Sequence, residues 1–181
     1  MPMLNLTLPV ADRDHIQGPA DAPFKLLEYG DYECPACGQA YPIVRAIQAR
    51  LGNRLCFAFR NFPLAIPHPH AMHAAEAAEA AGAQLQFWEM HDLLFENQES
   101  LDDKSLARYA VDLGLDADRF MREVVAGEYW PRIHHDFVTG ARAGVNGTPT
   151  FFVNGTHYHG GRDVEELISA LTESTGKTGK A

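Results

Sequence analysis

Two of the three cysteines in this sequence stand as Cys34-Pro35-Ala36-Cys37. Thiols separated by two residues can close reversibly into a disulfide, or they can form half of a zinc site. A zinc ribbon needs a second ligand pair, and the other thiol, Cys56, comes 19 residues after Cys37 with no companion Cys. Covalent haem attachment would need His where Gly38 stands. The residues favour redox exchange, with structural zinc as the alternative. If a strand precedes the motif and a helix follows it, the first helical N–H groups point at the Cys34 sulfur and favour thiolate. Such positions lower a thiol pKa to roughly 3.5–7.5 from about 8.5. Cys34 is then expected to attack and to leave, while Cys37, one turn deeper, resolves the mixed disulfide. Pro35 and Ala36 bring no positive charge, so the thiolate is expected to rest mainly on backbone donors.

The flanking residues supply those elements. Phe24–Tyr29 is short and apolar and stops at Gly30-Asp31, as a buried strand does. After Pro35, residues Ala40, Tyr41, Val44, Ile47 and Leu51 recur at helical spacing up to Gly52-Asn53. Pro35 suits a first helical turn, whereas Pro42 falls inside the helix and predicts a kink. Leu55–Phe62 reads as a second strand closed by Pro63, and the crossover helix implies parallel pairing.

Beyond Pro63 the pattern turns helical. Helices are expected over 70–81, 86–96, 103–113, 116–126 and about 131–143, with Asp103 and Asp116 as N-caps and Gly82, Gly114 and Gly127 as stops. The strand pattern resumes at Thr150–Val153, turns at Asn154-Gly155 and returns over Thr156–His159 as a hairpin. A last helix is expected over 163–171. The organisation read from this is an arm at 1–22 with at most a short edge strand near Thr7–Val10, and a catalytic domain split into 23–66 and 145–175. A helical insertion at 67–144 and a mobile tail at 176–181 complete it.

Composition narrows the class. The chain has 181 residues, 46% of them hydrophobic, enough for a sizeable core without cross-links. Fifteen basic against twenty-four acidic residues give a net charge of −9, which argues against nucleic acid and anionic membranes as partners. No apolar run has the length of a membrane span. The first residues do not read as a signal peptide, so a cytoplasmic location is expected, or an extracytoplasmic one if a leader has been trimmed.

A second constellation is Gly144-Val145-Asn146-Gly147-Thr148-Pro149-Thr150, where Pro149 opens a strand and is a candidate for a cis peptide bond. Together with Cys34-Pro35-Ala36-Cys37 and the following Phe151-Phe152-Val153-Asn154-Gly155, it resembles the DsbA-like family of the thioredoxin superfamily over about residues 15–172. The resemblance implies a thioredoxin-like α/β fold, a mixed sheet flanked by helices, with an inserted helical subdomain. It implies that Thr148 and a cis Pro149 lie against the Cys34 sulfur, and that the Thr148 backbone pairs with an extended substrate segment. Pro35 and Ala36 join them as substrate-binding candidates. The family also places an acid six positions before the first cysteine, here Glu28, as a proton relay for Cys37; the plainer alternative is a carboxylate facing solvent at a strand end. Ala36 stands where strongly oxidising members often have His, and no room for an isomerase's dimerisation domain is seen before Phe24.

Other features read as structural. His68, His70, His73, His134, His135, His157 and His159 match no helical metal-ligand spacing and are expected at surfaces or caps. Cys56 is expected buried, and Phe87-Trp88 is expected in helical core, with an apolar substrate groove as the alternative. The expected activity is a monomeric protein-disulfide oxidoreductase without cofactor or metal. Its partners would be protein or peptide thiols and disulfides, with a redox partner of thioredoxin or glutathione type or a membrane oxidase. The rival readings are a metal-binding or metallochaperone module using Cys34, Cys37 and nearby His, and a glutathione-dependent transferase or isomerase, against which Cys37 argues.

Overall fold

The structure, a computed structural model, describes residues 10–173. Five strands are described: β1 (His15–Gln17), β2 (Phe24–Gly30), β3 (Leu55–Asn61), β4 (Thr150–Val153) and β5 (Thr156–His157). Seven helices accompany them: α1 (Pro35–Leu51), α2 (Ala71–Gly82), α3 (Phe87–Glu96), α4 (Asp103–Asp112), α5 (Ala117–Ala126), α6 (Trp130–Arg142) and α7 (Val164–Glu173). The sheet order is β1-β3-β2-β4-β5. β2 and β3 pair in parallel across the α1 crossover, and the remaining neighbours are antiparallel. This is the expected thioredoxin-like mixed sheet.

β2 and β3 are buried almost throughout, as strands covered on both faces are. Because successive side chains alternate, each strand feeds two cores. Leu26, Phe57, Phe59, Phe151 and Val153 join Val44 and Ile47 of α1 and Leu167 and Leu171 of α7. Leu27, Tyr29, Ala58 and Phe152 point the other way, toward Phe62, Val145 and the Phe137 ring of α6. Phe62 and Phe137 stack with centroids 4.3 Å apart.

The chain between β3 and β4 contains α2 to α6. α2 is central, packing against α3, α4, α5 and α6. Its alanines at 71, 74, 75, 77, 78, 80 and 81 are all buried, and a helix apolar on nearly every side belongs inside a helical cluster. Phe87 is buried in the core and Trp88 packs half-buried against it: Phe87 stacks on His15 at 3.5 Å, and Trp88 donates from Nε1 to the Ile16 carbonyl at 3.1 Å.

Several expectations are corrected in detail. The edge strand is His15–Gln17, held by antiparallel pairing with β3; of the expected strand near Thr7–Val10, residues 7–9 lie outside the described residues and Val10 is in no strand. The 176–181 tail also lies outside them. Asp102 rather than Asp103 caps α4, accepting from the Lys104 and Ser105 backbones, while Asp116 does cap α5. Gly82 closes α2 as its last residue, as expected of a stop, and Gly127 is the left-handed cap of α5. The hairpin turn has Asn154 at φ 48° and Gly155 at φ 84°, the positive values a two-residue turn needs, but β5 runs only to His157.

Candidate active site

β2 is the middle strand, and β4 beside it runs the opposite way, with Tyr29 opposite Thr150. The end of β2 and the start of β4 therefore meet at one edge of the sheet, and each carries a motif there. Past Gly30 the chain turns through Asp31-Tyr32-Glu33 to Cys34, the extended N-cap residue of α1. Across from it, the Thr148–Pro149 peptide bond is cis, and Cys34 Sγ lies 3.4 Å from the Thr148 carbonyl oxygen.

The turn is held by two side chains that sequence reasoning missed. Asp31, buried, accepts from the Glu33 backbone at 2.8 Å, the Leu64 backbone at 2.8 Å and His68 Nδ1 at 2.7 Å. Its own carbonyl accepts from the Cys34 N–H at 3.1 Å. Gln98, after α3, donates from Nε2 to the carbonyls of Tyr32 at 2.8 Å and Cys34 at 2.9 Å. Gly38 makes room for it: a Cβ there would sit 2.0 Å from Gln98 Oε1. The Gly30-Asp31 turn was visible in the sequence, whereas nothing local marks Gln98, which lies 64 residues from Cys34. Tyr32 shares a hydrogen bond of 3.0 Å with His91 Nδ1, and burial lowers the His91 pKa to about 3, so this pair is uncharged at neutral pH.

The two thiols differ as the sequence predicts. Cys34 is 7% exposed and Cys37 fully buried, and both are unbridged. Cys34 is lowered to about 5, first by the Cys37 thiol, against the opposing effect of burial, then by the Thr148 hydroxyl and by the Cys37 and Ala36 backbone donors. Backbone donors were expected to lead; the neighbouring thiol leads instead, because a buried S–H has the thiolate as its nearest acceptor. The Thr148 hydroxyl is buried and engages no other group among the described residues. Cys37 is pushed far above the ordinary thiol value by burial, by its bond to Cys34 and by the charge of Glu28.

Glu28 lies within β2 rather than at a solvent-facing strand end, and it is 3% exposed. Among the described residues its Oε1 has no hydrogen-bond partner. Burial, and next the Cys34 charge, raise its pKa to about 8, with Arg162 pulling the other way. The carboxyl beneath the cysteines thus holds its proton at neutral pH yet can release it. Pro35 is exposed and Ala36 half-buried at the first turn of α1, and Pro149 is buried. The sheet edge brings together Cys34, Cys37, Thr148 and Pro149, with Glu28 close enough to act on both sulfurs electrostatically.

Three further histidines are otherwise engaged. His68, His70 and His73 bond through Nδ1 to Asp31, Glu33 and Asp103 at 2.7, 3.1 and 2.6 Å. Among the described residues no three His, Cys, Asp or Glu side chains converge as a metal-holding group. Cys56 is fully buried, as expected.

Comparison with known proteins accords with this geometry. The family profile described as Thioredoxin matches residues 11–173. The chain belongs to the thioredoxin family. Among solved structures this thioredoxin-family chain superposes on oxidised BdbD from Bacillus subtilis with a TM-score of 0.84, at 22% identity over 93% of this chain and 96% of that one. It superposes on a thioredoxin-like oxidoreductase from Silicibacter pomeroyi with a TM-score of 0.81, at 24% identity over 92% and 94% of the two chains. For alpha-DsbA1 from Wolbachia pipientis the score is 0.82, at 20% identity over 96% of each. The fold is DsbA-like. Curated relatives include the Na(+)/H(+) antiporter NhaA 1 of Salinispora arenicola, 46% identical over 173 residues, and NhaA of Herminiimonas arsenicoxydans, 37% identical over 161. These alignments take in 95% and 89% of this chain but only 26% and 25% of those proteins, so the chain spans about a quarter of their length. No helix among the described residues is long and apolar enough to cross a membrane.

Proposed function

We propose that this chain is a thiol–disulfide oxidoreductase exchanging disulfides with protein or peptide substrates, with Cys34 as nucleophile and Cys37 as resolving thiol. The observation that carries the reading is the Cys34 sulfur, lowered to about 5 and lying 3.4 Å from the Thr148 carbonyl beside a buried second thiol. In the reducing direction the Cys34 thiolate attacks one sulfur of a substrate disulfide. That S–S bond breaks, a Cys34–substrate disulfide forms, and the departing thiolate takes a proton from solvent. In the mixed disulfide Cys34 is uncharged, so one of the two causes holding the Glu28 proton is gone. Glu28 releases that proton to solvent, takes the proton of Cys37, and Cys37 attacks the Cys34 sulfur. The second substrate thiol leaves, and the Cys34–Cys37 disulfide remains. Both electrons have passed from the protein to the substrate, and the reverse sequence oxidises a substrate dithiol.

Thr148 and Pro149 serve as the edge against which an extended substrate segment lies, with Pro35 and Ala36 on the facing side of the sulfur. The helical stretch 67–144 acts as an insertion between 23–66 and 145–175 that steadies the cysteine turn through Gln98 and His91. The compartment sets the direction. A reducing cytoplasm keeps the dithiol and favours reduction, and an oxidising compartment with a membrane oxidase favours disulfide donation. The protein works as a monomer, and a thioredoxin- or glutathione-type partner closes the reducing cycle.

Insulin reduction tests the reading. Cys34→Ser is expected to abolish turnover. Cys37→Ser is expected to stall after the first attack, with a mixed disulfide on Cys34 visible by mass. Undiminished turnover in Cys34→Ser would remove the proposal.

A further inference from the structure

Beside the Thr148–Pro149 bond is a recess of about 330 Å³. Pro149 and Thr150 form one wall, while His157, Tyr158, His159 and Arg162 come from the chain between β4 and α7. Resting on the oxidoreductase reading, we propose that this recess takes a carboxylate carried beside the reacting sulfur of the substrate, through Arg162, His157 and His159.

Three observations carry this. The first is place. Pro149 adjoins Thr148, whose carbonyl touches the Cys34 sulfur at 3.4 Å, and an extended chain advances about 3.3 Å per residue. A side chain one or two residues from the reacting cysteine therefore reaches the recess. The second is chemistry. Among the described residues no Asp or Glu lines it, and the Tyr158 hydroxyl is committed to the Gly161 carbonyl at 3.0 Å, which leaves the guanidinium, the imidazoles and the Asn146 amide to meet a ligand. The third is pairing. In a chain of net charge −9, His15, His68, His70 and His73 each sit on a carboxylate, whereas His157 and His159 lean on each other with ring centroids 4.1 Å apart. Among the described residues neither of these two, nor Arg162, has a carboxylate in ion-pair contact. Asp163 accepts the Glu166 backbone N–H at 2.9 Å, and the Glu166 carboxylate lies against Gly161; both acids act on Tyr158 electrostatically, but neither lines the recess. An exposed Arg162 beside two imidazoles is a site for a charge-assisted, salt-sensitive contact.

The test compares kcat/KM for reduction of three peptide disulfides that differ only in the residue after the cysteine, Glu, Gln or Lys. In parallel, oxidised glutathione is compared with its ethyl ester. The Glu peptide is expected to exceed the Gln peptide by a factor of about 3 to 5, the size of an exposed ion pair, with Lys lowest and the spread collapsing at raised salt. Arg162→Ala should bring the three peptides toward equality, Arg162→Lys should keep the order, and Arg162→Glu should invert it. Effects of Arg162 on Glu28 are common to all three peptides and cancel in the ratio. Preference for the charged form in peptides alone assigns the carboxylate to a protein substrate, in glutathione alone to the small thiol, and in both to either source. Equal rates for all charged and neutral forms overturn the inference while leaving the oxidoreductase reading intact. Absence of turnover even with the Gln peptide overturns that reading itself.

Discussion

Glu28 has a carboxyl closed off from water, and the groups around it explain both its use and its cost. Burial and the Cys34 thiolate hold its proton up to about pH 8, whereas an unfolded chain releases that proton near 4.5. Raising the pH through this window strips a proton from the unfolded state that the folded state keeps, so stability falls. The contribution is complete below 4.5 and is lost as pH passes about 8, with a slope of up to about 1.4 kcal/mol per pH unit. Glu28→Gln keeps the shape and removes the titration. Denaturant unfolding of the reduced protein should show the variant gaining on the parent as pH rises from 5 to 8. The slope common to both proteins collects the other shifted groups: Glu76 and Asp136, raised by burial to about 7 and about 6, lower stability as pH rises, whereas Cys34 and His91, lowered to about 5 and about 3, raise it. A gap between variant and parent that does not change with pH would mean that Glu28 is ionised in the fold.

At the scale of elements, the site depends on how α6 sits on the sheet, since Tyr29 opposes Thr150 at the start of β4. α6 approaches through Gly140, where an added Cβ would lie 2.7 Å from the Tyr29 ring and 3.1 Å from the Phe62 ring. Both rings are buried, and neither can swing aside as a surface side chain would. Gly140→Ala is expected to cost about 1–3 kcal/mol in chemical denaturation, as overpacking does; an unchanged midpoint would show that α6 can shift.

Elements with a strong local period could be read from the chain: β2 and β3 from their apolar runs, α1 from Ala40 to Leu51, the β4–β5 turn from Asn154-Gly155. β1 could not, because His15–Gln17 is three residues with polar ends that become a strand only by pairing with Phe57–Phe59, about forty residues on. The site divides the same way. Cys34, Cys37, Thr148 and Pro149 announce themselves by type and spacing. Glu28 in a strand suggested a role only through family resemblance, and Gln98 and Asp31 act through contacts that no pattern in their neighbourhood encodes.

Across the whole molecule a buried polar network ties β1 and the residues before it to the helices. Arg60 of β3 donates to both oxygens of Asp14, at 2.8 and 2.7 Å, with the two side chains 3% and 1% exposed. Glu79 of α2 meets His15 at 2.9 Å, Arg132 of α6 at 2.8 Å and Asn61 of β3 at 2.8 Å. Asp14→Asn keeps the volume but leaves the Arg60 charge without its carboxylate in the interior. A loss of about 3 kcal/mol is expected, because breaking a buried ion pair from one side is expensive. Denaturant titration checks it, and a loss within the range of a surface substitution would show that water reaches the guanidinium.

The central claim is that the fold keeps Cys34 as a thiolate at neutral pH while Cys37 remains a thiol. The most direct measurement is the rate of Cys34 alkylation in the reduced protein as a function of pH, with the modified residue identified by mass. The account predicts a midpoint near 5 and a plateau through neutrality, with Cys37 unmodified. A midpoint near 9, the ordinary value for a thiol, or modification of Cys37 ahead of Cys34, would contradict it.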